Sequence, residues 1–284
     1  MVKMVKIGIL YHPTRADSAQ LAQQATAYLS QQGVAYWQGV ANDETALSIA
    51  APSLDAVVTL GGDGTIVHAV RTLAAFKVPI LGVNLGRLGF LAEIEPAEME
   101  TGLRKLVAGE YRVEQRMLLR AELRRGGKLV LASEAINDAV LGRGRSSRTV
   151  RITVDVDRHY VMTQTADAMI VSTPTGSTAY CLSAGGPIVS PDLDCLVLTP
   201  VAPHISVAHA IVIPAQRSVR LRLLKGQNAT LTVDGQVDLE IDSEDELVCT
   251  AASNTARFIR FGCDGYYYET VLRRLRWPDQ GPAA

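Results

Sequence analysis

The sequence predicts two domains: an N-terminal α/β domain built on a parallel sheet, and a C-terminal domain rich in β-strands. Its 284 residues are enough for two domains of ordinary size. Apolar runs alternate with helical patterns through the first third of the chain, which favours a parallel sheet covered by helices. Beyond about residue 112, short β-like runs replace that alternation. We therefore expect domains at 1–112 and 113–263.

The N-terminal elements are predicted from the spacing of apolar residues, which recurs every third or fourth position in a helix and is continuous in a buried strand. Gly109, just past the last helical pattern, is typical of a helix C-terminus. In chain order the pattern predicts a strand at 2–12, a helix at 18–32, a strand at 55–60, a helix at 65–76, a strand at 79–84 and a helix at 96–109.

The C-terminal part consists of short β-like stretches separated by turn residues, as is typical of antiparallel strands. Gly126-Gly127 and Asp234-Gly235 are the clearest turns. The strand-like segments are MLLRAEL, KLVLASEAI, TVRITVDV, AMIVS, SVRLRLL and ATLTVDGQVDLEI. The closing stretch 266–277 returns to a helical pattern, and we expect segment 264–284 to pack back on the first domain.

Composition limits the classes of function. Lys plus Arg is 28 and Asp plus Glu is 29, so the net charge of −1 gives no overall attraction to nucleic acid or to an anionic membrane. The sequence has no apolar stretch long enough to span a membrane and no signal-peptide pattern. Its four cysteines, none at CxxC spacing, indicate neither a disulfide scaffold nor a zinc site. These features favour a cytoplasmic globular protein.

A glycine-rich turn, Gly61-Gly62-Asp63-Gly64-Thr65, joins a predicted strand to a predicted helix. Glycines let backbone N–H groups approach a phosphate, and the helix N-terminus adds partial positive charge. Asp63 would repel that phosphate, so we expect it to orient a hydroxyl or to help hold a metal. The alternative is an ordinary Asp-Gly turn with Thr65 as a helix cap. Neither a Walker A loop nor a GxGxxG fingerprint is present, so the turn predicts a phosphotransferase of another kind.

Three further segments carry polar side chains suited to a nucleotide. TPTGSTAY at 173–180 supplies several hydroxyls and an aromatic ring, although an ST-turn between strands would have a similar sequence. Asn137-Asp138 combines an amide with a carboxylate, which suits a ribose diol but is also common in turns. The loop GRGRSSRTVR places arginines at 143, 145, 148 and 151, of which we expect one or two to contact phosphate and the rest to face solvent.

Taken in order, these pieces resemble the NAD kinase family. The GGDGT motif is shared with diacylglycerol, sphingosine and phosphofructokinase-type kinases, so it identifies only the superfamily. The remaining segments make the match more specific and extend it over nearly the whole chain. They are NLGRLGFL at 84–91, Asn137-Asp138, TPTGSTAY at 173–180 with its LSAGGPIV continuation, APH at 202–204 and VDGQ at 233–236.

The resemblance implies a Rossmann-like or phosphofructokinase-like N-terminal domain, a β-rich NAD-binding C-terminal domain, and an active site between them. It also implies transfer of the terminal phosphoryl group of ATP, with Mg²⁺, to the 2′-hydroxyl of the adenosine ribose of NAD. Asp63 would orient and deprotonate that hydroxyl. The residues expected to bind NAD are Asp63, Gly64, His68, Asn137, Asp138, Arg148, Thr165, Asp167, Thr178, Ala179, Tyr180, Cys181, Leu182, Ser183, Ala202 and Gln236.

The expected partners are NAD and ATP, with no nucleic acid and no membrane, and the family suggests a homo-oligomer of the dimer or tetramer type. No protein side chain is expected to be a dedicated metal ligand, because the nucleotide phosphates would hold most of the Mg²⁺. Two alternatives stay open. One is a kinase of the same superfamily that acts on a lipid or a sugar phosphate, and the other is a non-catalytic NAD(P) sensor. The Asp63 carboxylate argues against the sensor, which would gain nothing from it.

Overall fold

The computed structural model describes residues 6–86, 89–144, 148–204, 209–224, 228–262, 267–268 and 270–271. The chain divides into two compact units. Unit 1 comprises Met1–Gln115 together with Ala256–Ala284, and unit 2 comprises Arg116–Thr255. Of the closing helix predicted at 266–277, residues 267–268 and 270–271 are described, and they are helical. The rest of that helix and the packing of segment 264–284 lie outside the described residues.

The described part of unit 1 before residue 112 contains a parallel sheet and four α-helices. Its strands are β1 (Lys6–Tyr11), β2 (Ala35–Val40), β3 (Ala56–Gly61) and β4 (Ile80–Asn84), and its helices are α1 (Ala16–Gln31), α2 (Glu44–Ala50), α3 (Asp63–Phe76) and α4 (Met99–Ala108). The strands lie in the order β2-β1-β3-β4, and each pairing is parallel. Every residue of β3 and β4 is buried, which explains their continuous apolar sequence.

Local chemistry sets several helix ends in unit 1. The side chain of Asp43 caps α2 by accepting a hydrogen bond from the Ala46 N–H. The C-terminal end of α4 is set by Gly109, which adopts a left-handed φ of 76°. The sequence did not predict β2 or α2. β2 is a partly exposed edge strand without a continuous apolar run, and α2 has seven residues, too few for a clear helical period.

Unit 2 is built mainly from antiparallel strands. They are β5 (Arg112–Arg125), β6 (Lys128–Ala135), β7 (Asp138–Arg143), β8 (Val150–Val156), β9 (His159–Ala166), β10 (Ala168–Ser172), β11 (Cys195–Val201), β12 (Ile211–Pro214), β13 (Val219–Leu223), β14 (Asn228–Val233), β15 (Val237–Asp242) and β16 (Asp245–Arg260), and a single turn of helix, α5 (Tyr180–Ser183), follows β10. The first residues of β5 and the last residues of β16 belong to unit 1.

The strands of unit 2 form two layers around one core. In one layer the order is β12-β11-β10-β7-β14-β15. In the other, β16, β13, β8 and β9 are neighbours in that order, and β5 pairs with β16 and β6. Leu141 and Met169 of the first layer share a buried apolar cluster with Leu119, Ile152 and Leu221 of the second. This packing of two inner faces explains why apolar and polar residues alternate along these strands.

The predicted fold class is confirmed, since an α/β unit with a parallel sheet is joined to a unit rich in antiparallel strands. The predicted hairpin turn at Asp234-Gly235 joins β14 to β15, and both residues have a left-handed φ. Several strands of unit 2, among them β9, β11 and β16, were not predicted individually. Within the described residues, no helix has the length and apolar character needed to cross a membrane.

A buried arginine holds the end of β16 within unit 1. Arg260 is 4% exposed. Its guanidinium donates to Glu114 Oε2 at 2.6 Å and to Glu93 Oε2 at 3.2 Å. It also donates to the Leu91 carbonyl at 3.0 Å and lies 5.1 Å from the centre of the Phe258 ring. Two largely buried carboxylates therefore share this buried cation.

We expect Arg260→Ala to lower the free energy of unfolding by about 3–5 kcal/mol, because it removes the buried cation that two largely buried carboxylates share. Urea unfolding followed by circular dichroism measures this loss. Arg15→Ala is the matched control, since Arg15 and its partner Asp17 are exposed and an exposed ion pair contributes little to stability. Equal losses in the two variants would contradict the account of Arg260.

Candidate functional site

The glycine-rich turn of unit 1 joins the end of β3 to the start of α3. Gly62 has an extended backbone and occupies the N-cap position, so Asp63 is the first helical residue. The first N–H groups of a helix have no acceptor within the helix, and the helix dipole favours negative charge there. Gly61 must lack a side chain, because a Cβ would overlap the Thr65 hydroxyl. The turn therefore combines a tight backbone with a site suited to an anion.

The Asp63 carboxylate is held by the loop that follows β4. Its Oδ2 accepts a hydrogen bond from the Phe90 N–H at 2.6 Å, and its Oδ1 accepts one from the Leu91 N–H at 3.1 Å. A Cβ on Gly89 would overlap the same carboxylate. An ionised carboxylate offers about four lone-pair positions, so each oxygen keeps capacity for a further donor. Asp63 is thus fixed in place and can still accept a hydrogen bond from a hydroxyl.

That loop is itself anchored on both sides. Asn84, the last residue of β4, donates from Nδ2 to Glu95 Oε1 at 3.1 Å and accepts from the Gly86 N–H at 3.2 Å. The Leu91 carbonyl accepts from Arg260, whose contacts are given above. The NLGRLGFL segment therefore has a physical role, which is to present two N–H groups to Asp63. Within this segment, residues 87 and 88 lie outside the described part of the chain.

His68 lies one turn further along α3 and is half-buried. Its Nδ1 is 3.9 Å from Glu44 Oε1, and Arg71 contacts the same carboxylate at 3.5 Å. Burial lowers the pKa of His68, and the Arg71 and His12 charges lower it further, against the opposing effect of Glu44. His68 is therefore mainly neutral at pH 7.

In unit 2, Asn137 and Asp138 lie at the start of β7, beside the turn between β14 and β15. The Asp234 carboxylate of that turn accepts hydrogen bonds from the N–H groups of both residues. Burial, and secondly the negative charge of Asp234, raises the pKa of the Asp138 carboxyl to about 7. Asn137 is half-buried, whereas Asp138 is buried. The half-buried Asn137 is thus the more accessible member of the pair.

The hydroxyls of TPTGSTAY are in part buried and in part accessible, which corrects the expectation that their density alone marks a ligand surface. Thr173 and Ser177 are fully buried. The Thr173 hydroxyl donates to the Ile136 carbonyl, and the Ser177 hydroxyl contacts backbone of Pro174 and of Val189. These two hydroxyls satisfy backbone groups that burial would otherwise leave unpaired, so they build the segment.

The other members of the run 178–183 differ in exposure. Tyr180 is 45% exposed, and Ser183 is also exposed. Thr178, Ala179 and Leu182 are half-buried. The Cys181 side chain is buried, and its Sγ lies 3.3 Å from Thr199 Oγ1, so any contact that Cys181 makes with a ligand would come from its backbone.

A cavity of about 660 Å³ lies on the β7, β10 and β14 side of unit 2, and Asp167 and Tyr180 line it. Asp167 Oδ2 is 3.5 Å from a guanidinium nitrogen of Arg143, which also lines the cavity. Thr165 lies two residues before Asp167, and its carbonyl accepts from the His204 N–H at 2.9 Å. This cavity has the size of a small-molecule site and mixed polar and apolar walls.

Three predicted residues of unit 2 remain. Ala202, two residues before His204, is exposed and has a left-handed φ of 44°. Gln236 is half-buried in the β14–β15 turn, next to the Asn137-Asp138 segment. Arg148 is exposed just before β8, and Arg145 of the same loop lies outside the described residues. Unit 1 thus contains Asp63, Gly64 and His68, and the other predicted residues all belong to unit 2.

Among the described residues, no group of three or more His, Cys, Asp or Glu side chains is arranged to hold a metal ion. The described part of the chain therefore provides no all-protein cage for Mg²⁺, a hard cation that prefers several oxygen ligands. Mg²⁺ stays a prediction from the resemblance, and no protein ligand is assigned to it.

Sequence reasoning missed the residues that hold the predicted ones. Phe90 and Leu91 act through backbone N–H groups, which leave no trace in side-chain chemistry. Gly89 and Asp234 belong to segments that were noted for their resemblance without a role. The available signals were Gly89 within NLGRLGFL and the Asp234-Gly235 turn, and neither of them shows in the sequence which residue it approaches in the fold.

Comparison with known proteins places this architecture in one family. The family model described as ATP-NAD kinase N-terminal domain matches residues 32–111, and the one described as ATP-NAD kinase C-terminal domain matches residues 136–261. The chain is 45% identical over 253 residues to the NAD kinase of Moorella thermoacetica, covering 87% of this chain and 79% of that protein. It is 40% identical over 269 residues to the NAD kinase of Heliobacterium modesticaldum, covering 91% and 94%.

Solved structures agree. The yeast NADH kinase complexed with NADH has a TM-score of 0.88 at 22% identity, over 99% of this chain and 90% of that one, which shows a common fold. The NAD kinase of Archaeoglobus fulgidus in complex with ATP has a TM-score of 0.77 at 25% identity, over 96% and 99%. The family matches and the identities to curated relatives together establish that this chain belongs to the NAD kinase family.

Proposed function

We propose that this chain transfers the terminal phosphoryl group of ATP to the 2′-hydroxyl of the adenosine ribose of NAD, giving NADP. Relatives that share 40–45% of their residues with the chain are NAD kinases. The observation that carries the proposal is the position of Asp63. It follows the glycine turn as the first residue of α3, and its carboxylate accepts hydrogen bonds from two backbone N–H groups. A carboxylate fixed at an anion site needs a partner to act on, and a ribose hydroxyl fits.

The role of Asp63 follows from the energetics of phosphoryl transfer. The transition state is loose, so positioning and charge neutralisation supply most of the catalysis. Holding the reacting groups in the right geometry contributes about 7–11 kcal/mol to lowering the barrier. A carboxylate that two N–H groups keep from rotating can orient the acceptor hydroxyl. It can then take the proton as the bond to phosphorus forms.

The residues of unit 2 would bind the dinucleotide. Asn137 offers an amide that can both donate to and accept from the ribose diol. The exposed Tyr180 ring provides an apolar face with a polar end, and Asp167 lies on the same cavity. Arg148 would contact phosphate or ribose. The backbone of 178–183 would complete the site.

ATP is the proposed donor, and its phosphates would approach the N-terminus of α3. A divalent cation bound with ATP would supply charge neutralisation at the phosphates. We further propose a cytoplasmic location and a homo-oligomer, in line with the resemblance.

Asp63→Asn should lower kcat by about 10²–10⁴, the range for the loss of a positioned base, with a smaller change in the KM for NAD. Steady-state kinetics with varied NAD at saturating ATP and Mg²⁺ measures both constants. Asp43→Asn is the matched control, because Asp43 also stands at the start of a helix in unit 1 and asparagine is an equally good cap. Near-normal turnover of Asp63→Asn would remove Asp63 from the chemistry.

The product should carry its new phosphate on the adenosine 2′-oxygen. A mixture of protein, NAD, ATP and Mg²⁺ should therefore yield a species that an NADP-specific dehydrogenase reduces. NAD that lacks the adenosine 2′-hydroxyl should bind competitively and accept no phosphate, because the nucleophile is absent. Phosphorylation of this deoxy analogue would move the reacting oxygen elsewhere. Efficient phosphorylation of diacylglycerol or a sugar phosphate without NADP formation would indicate one of the neighbouring kinase families.

A further inference from the structure

The segment Ile136–Asp138 has every backbone polar group bound by two residues, Asp234 and Thr173. From this arrangement we infer that Asp234 and Thr173 are positioning residues, which present Asn137 and Asp138 to the dinucleotide by fixing their backbone. The inference rests on the proposed function. Neither residue was among those expected to contact NAD, and neither needs to touch it.

Asp234 binds the three N–H groups of the segment at once. Its Oδ2 accepts from the Ile136 N–H at 2.8 Å. Its Oδ1 accepts from the Asn137 N–H at 2.8 Å and from the Asp138 N–H at 3.1 Å. In return the Asp234 N–H donates to the Asp138 carbonyl at 2.9 Å. Hydrogen bonds to a charged acceptor are stronger than neutral ones, so this contact is well suited to fixing a backbone.

Thr173 binds the two remaining carbonyls. Its N–H donates to the Asn137 carbonyl at 2.9 Å, and its buried hydroxyl donates to the Ile136 carbonyl. The same hydroxyl accepts from the Gly176 N–H at 3.0 Å. A Cβ on Gly176 would overlap the Asn137 backbone, so TPTGSTAY lies directly against this segment. With each backbone group paired, the directions of the Asn137 and Asp138 side chains are set.

The backbone of Asp234 suits this role. Its φ of 50° lies in the left-handed region, which aspartate and asparagine tolerate better than most residues. The turn needs a residue that tolerates this backbone. It does not need a carboxylate that accepts three hydrogen bonds from the N–H groups of Ile136–Asp138. The same turn carries Gln236, which is expected to contact NAD. One side chain therefore ties two parts of the proposed dinucleotide site together.

Unit 2 offers a close structural match for a control. Asp157, in the turn between β8 and β9, also has a left-handed φ, of 49°. Its Oδ1 accepts from the Ser218 N–H at 2.9 Å, and its own N–H donates to the Ser218 carbonyl at 3.0 Å. This reciprocal contact resembles that of Asp234, but it holds no residue expected to bind NAD.

The test compares Asp234→Asn with Asp157→Asn. Asparagine keeps the left-handed backbone and the size of the side chain, but it turns one acceptor oxygen into an NH₂ donor facing a backbone N–H. Calorimetric titration with NAD should show Kd raised about ten- to hundredfold in Asp234→Asn, as expected for losing a charge-assisted bond. The Kd for ATP should change less than twofold, and Asp157→Asn should bind NAD like the unmodified protein.

A second readout checks that the ionised Asp234 carboxylate lies beside Asp138. The Asp234 charge contributes to raising the pKa of Asp138, and Cys181 is a further titratable group that interacts with Asp138. Removing the Asp234 charge should therefore lower the midpoint of the Asp138 titration, followed by carbon NMR of aspartate-labelled protein. Asp157→Asn should leave that midpoint unchanged, since Asp157 is not among the charges that shift it.

If Asp234→Asn does not fold, Thr173→Val and Thr173→Ser provide the test. Valine keeps the shape of threonine without the hydroxyl, so the Kd for NAD should rise, and serine, which keeps the hydroxyl, should restore it. NAD affinity unchanged in both Asp234→Asn and Thr173→Val would overturn the inference while NADP formation by the unmodified protein stands. Failure of the unmodified protein to convert NAD would instead overturn the proposed function.

Discussion

The hydrogen bonds from Phe90 and Leu91 to the Asp63 carboxylate are the interaction on which the proposed chemistry depends. They join the loop after β4 to the first residue of α3, and so they relate two neighbouring connections at one edge of the parallel sheet. Removing these polar groups from water costs little free energy here, because the N–H groups gain an acceptor and the carboxylate gains donors. A carboxylate that would otherwise repel phosphate is thereby made part of the structure.

The same solution occurs in unit 2, where Asp234 accepts from three backbone N–H groups. In both units a carboxylate pairs with backbone, which makes the geometry insensitive to the identity of the neighbouring side chains. In unit 1 the carboxylate is itself the proposed acting group, whereas in unit 2 it holds a segment whose side chains are proposed to act. Preorganisation of this kind lowers the cost of ordering groups when substrate binds.

Much of the fold could be predicted from the sequence, because burial on both faces of β3 and β4 leaves a continuous apolar signal. The glycine turn was also predictable, because a continuous apolar run precedes it and apolar residues recur every third or fourth position after it. The edge strand β2 and the unit 2 strands β9 and β11 were not predicted individually. The edge strands β2 and β9 carry weak apolar patterns, and β11 is an apolar run whose length and type do not by themselves tell a strand from a buried helix.

The candidate site was predicted by residue type, and the supports of those residues were not. Asp63 could be singled out because a carboxylate in a phosphate-binding turn would repel the phosphate, and Asn137 because it sets an amide beside a carboxylate. Thr173 was grouped with accessible hydroxyls, yet it is fully buried and bound to backbone. The sequence shows which polar atoms a residue carries, but not which of them already form hydrogen bonds within the protein. Those hydrogen bonds decide whether a side chain can contact a ligand or instead supports the fold.

The most direct test of the central claim is a double-mutant cycle on kcat for NAD phosphorylation, with Asp63→Asn, Gly89→Ala and the double variant. A methyl group on Gly89 would overlap the Asp63 carboxylate, so the single Gly89→Ala variant should turn over slowly. In the Asp63→Asn background the same methyl group should cost little more, because the base that it displaces is already lost. If the two effects multiply instead, the loop does not act through Asp63, and the account is contradicted.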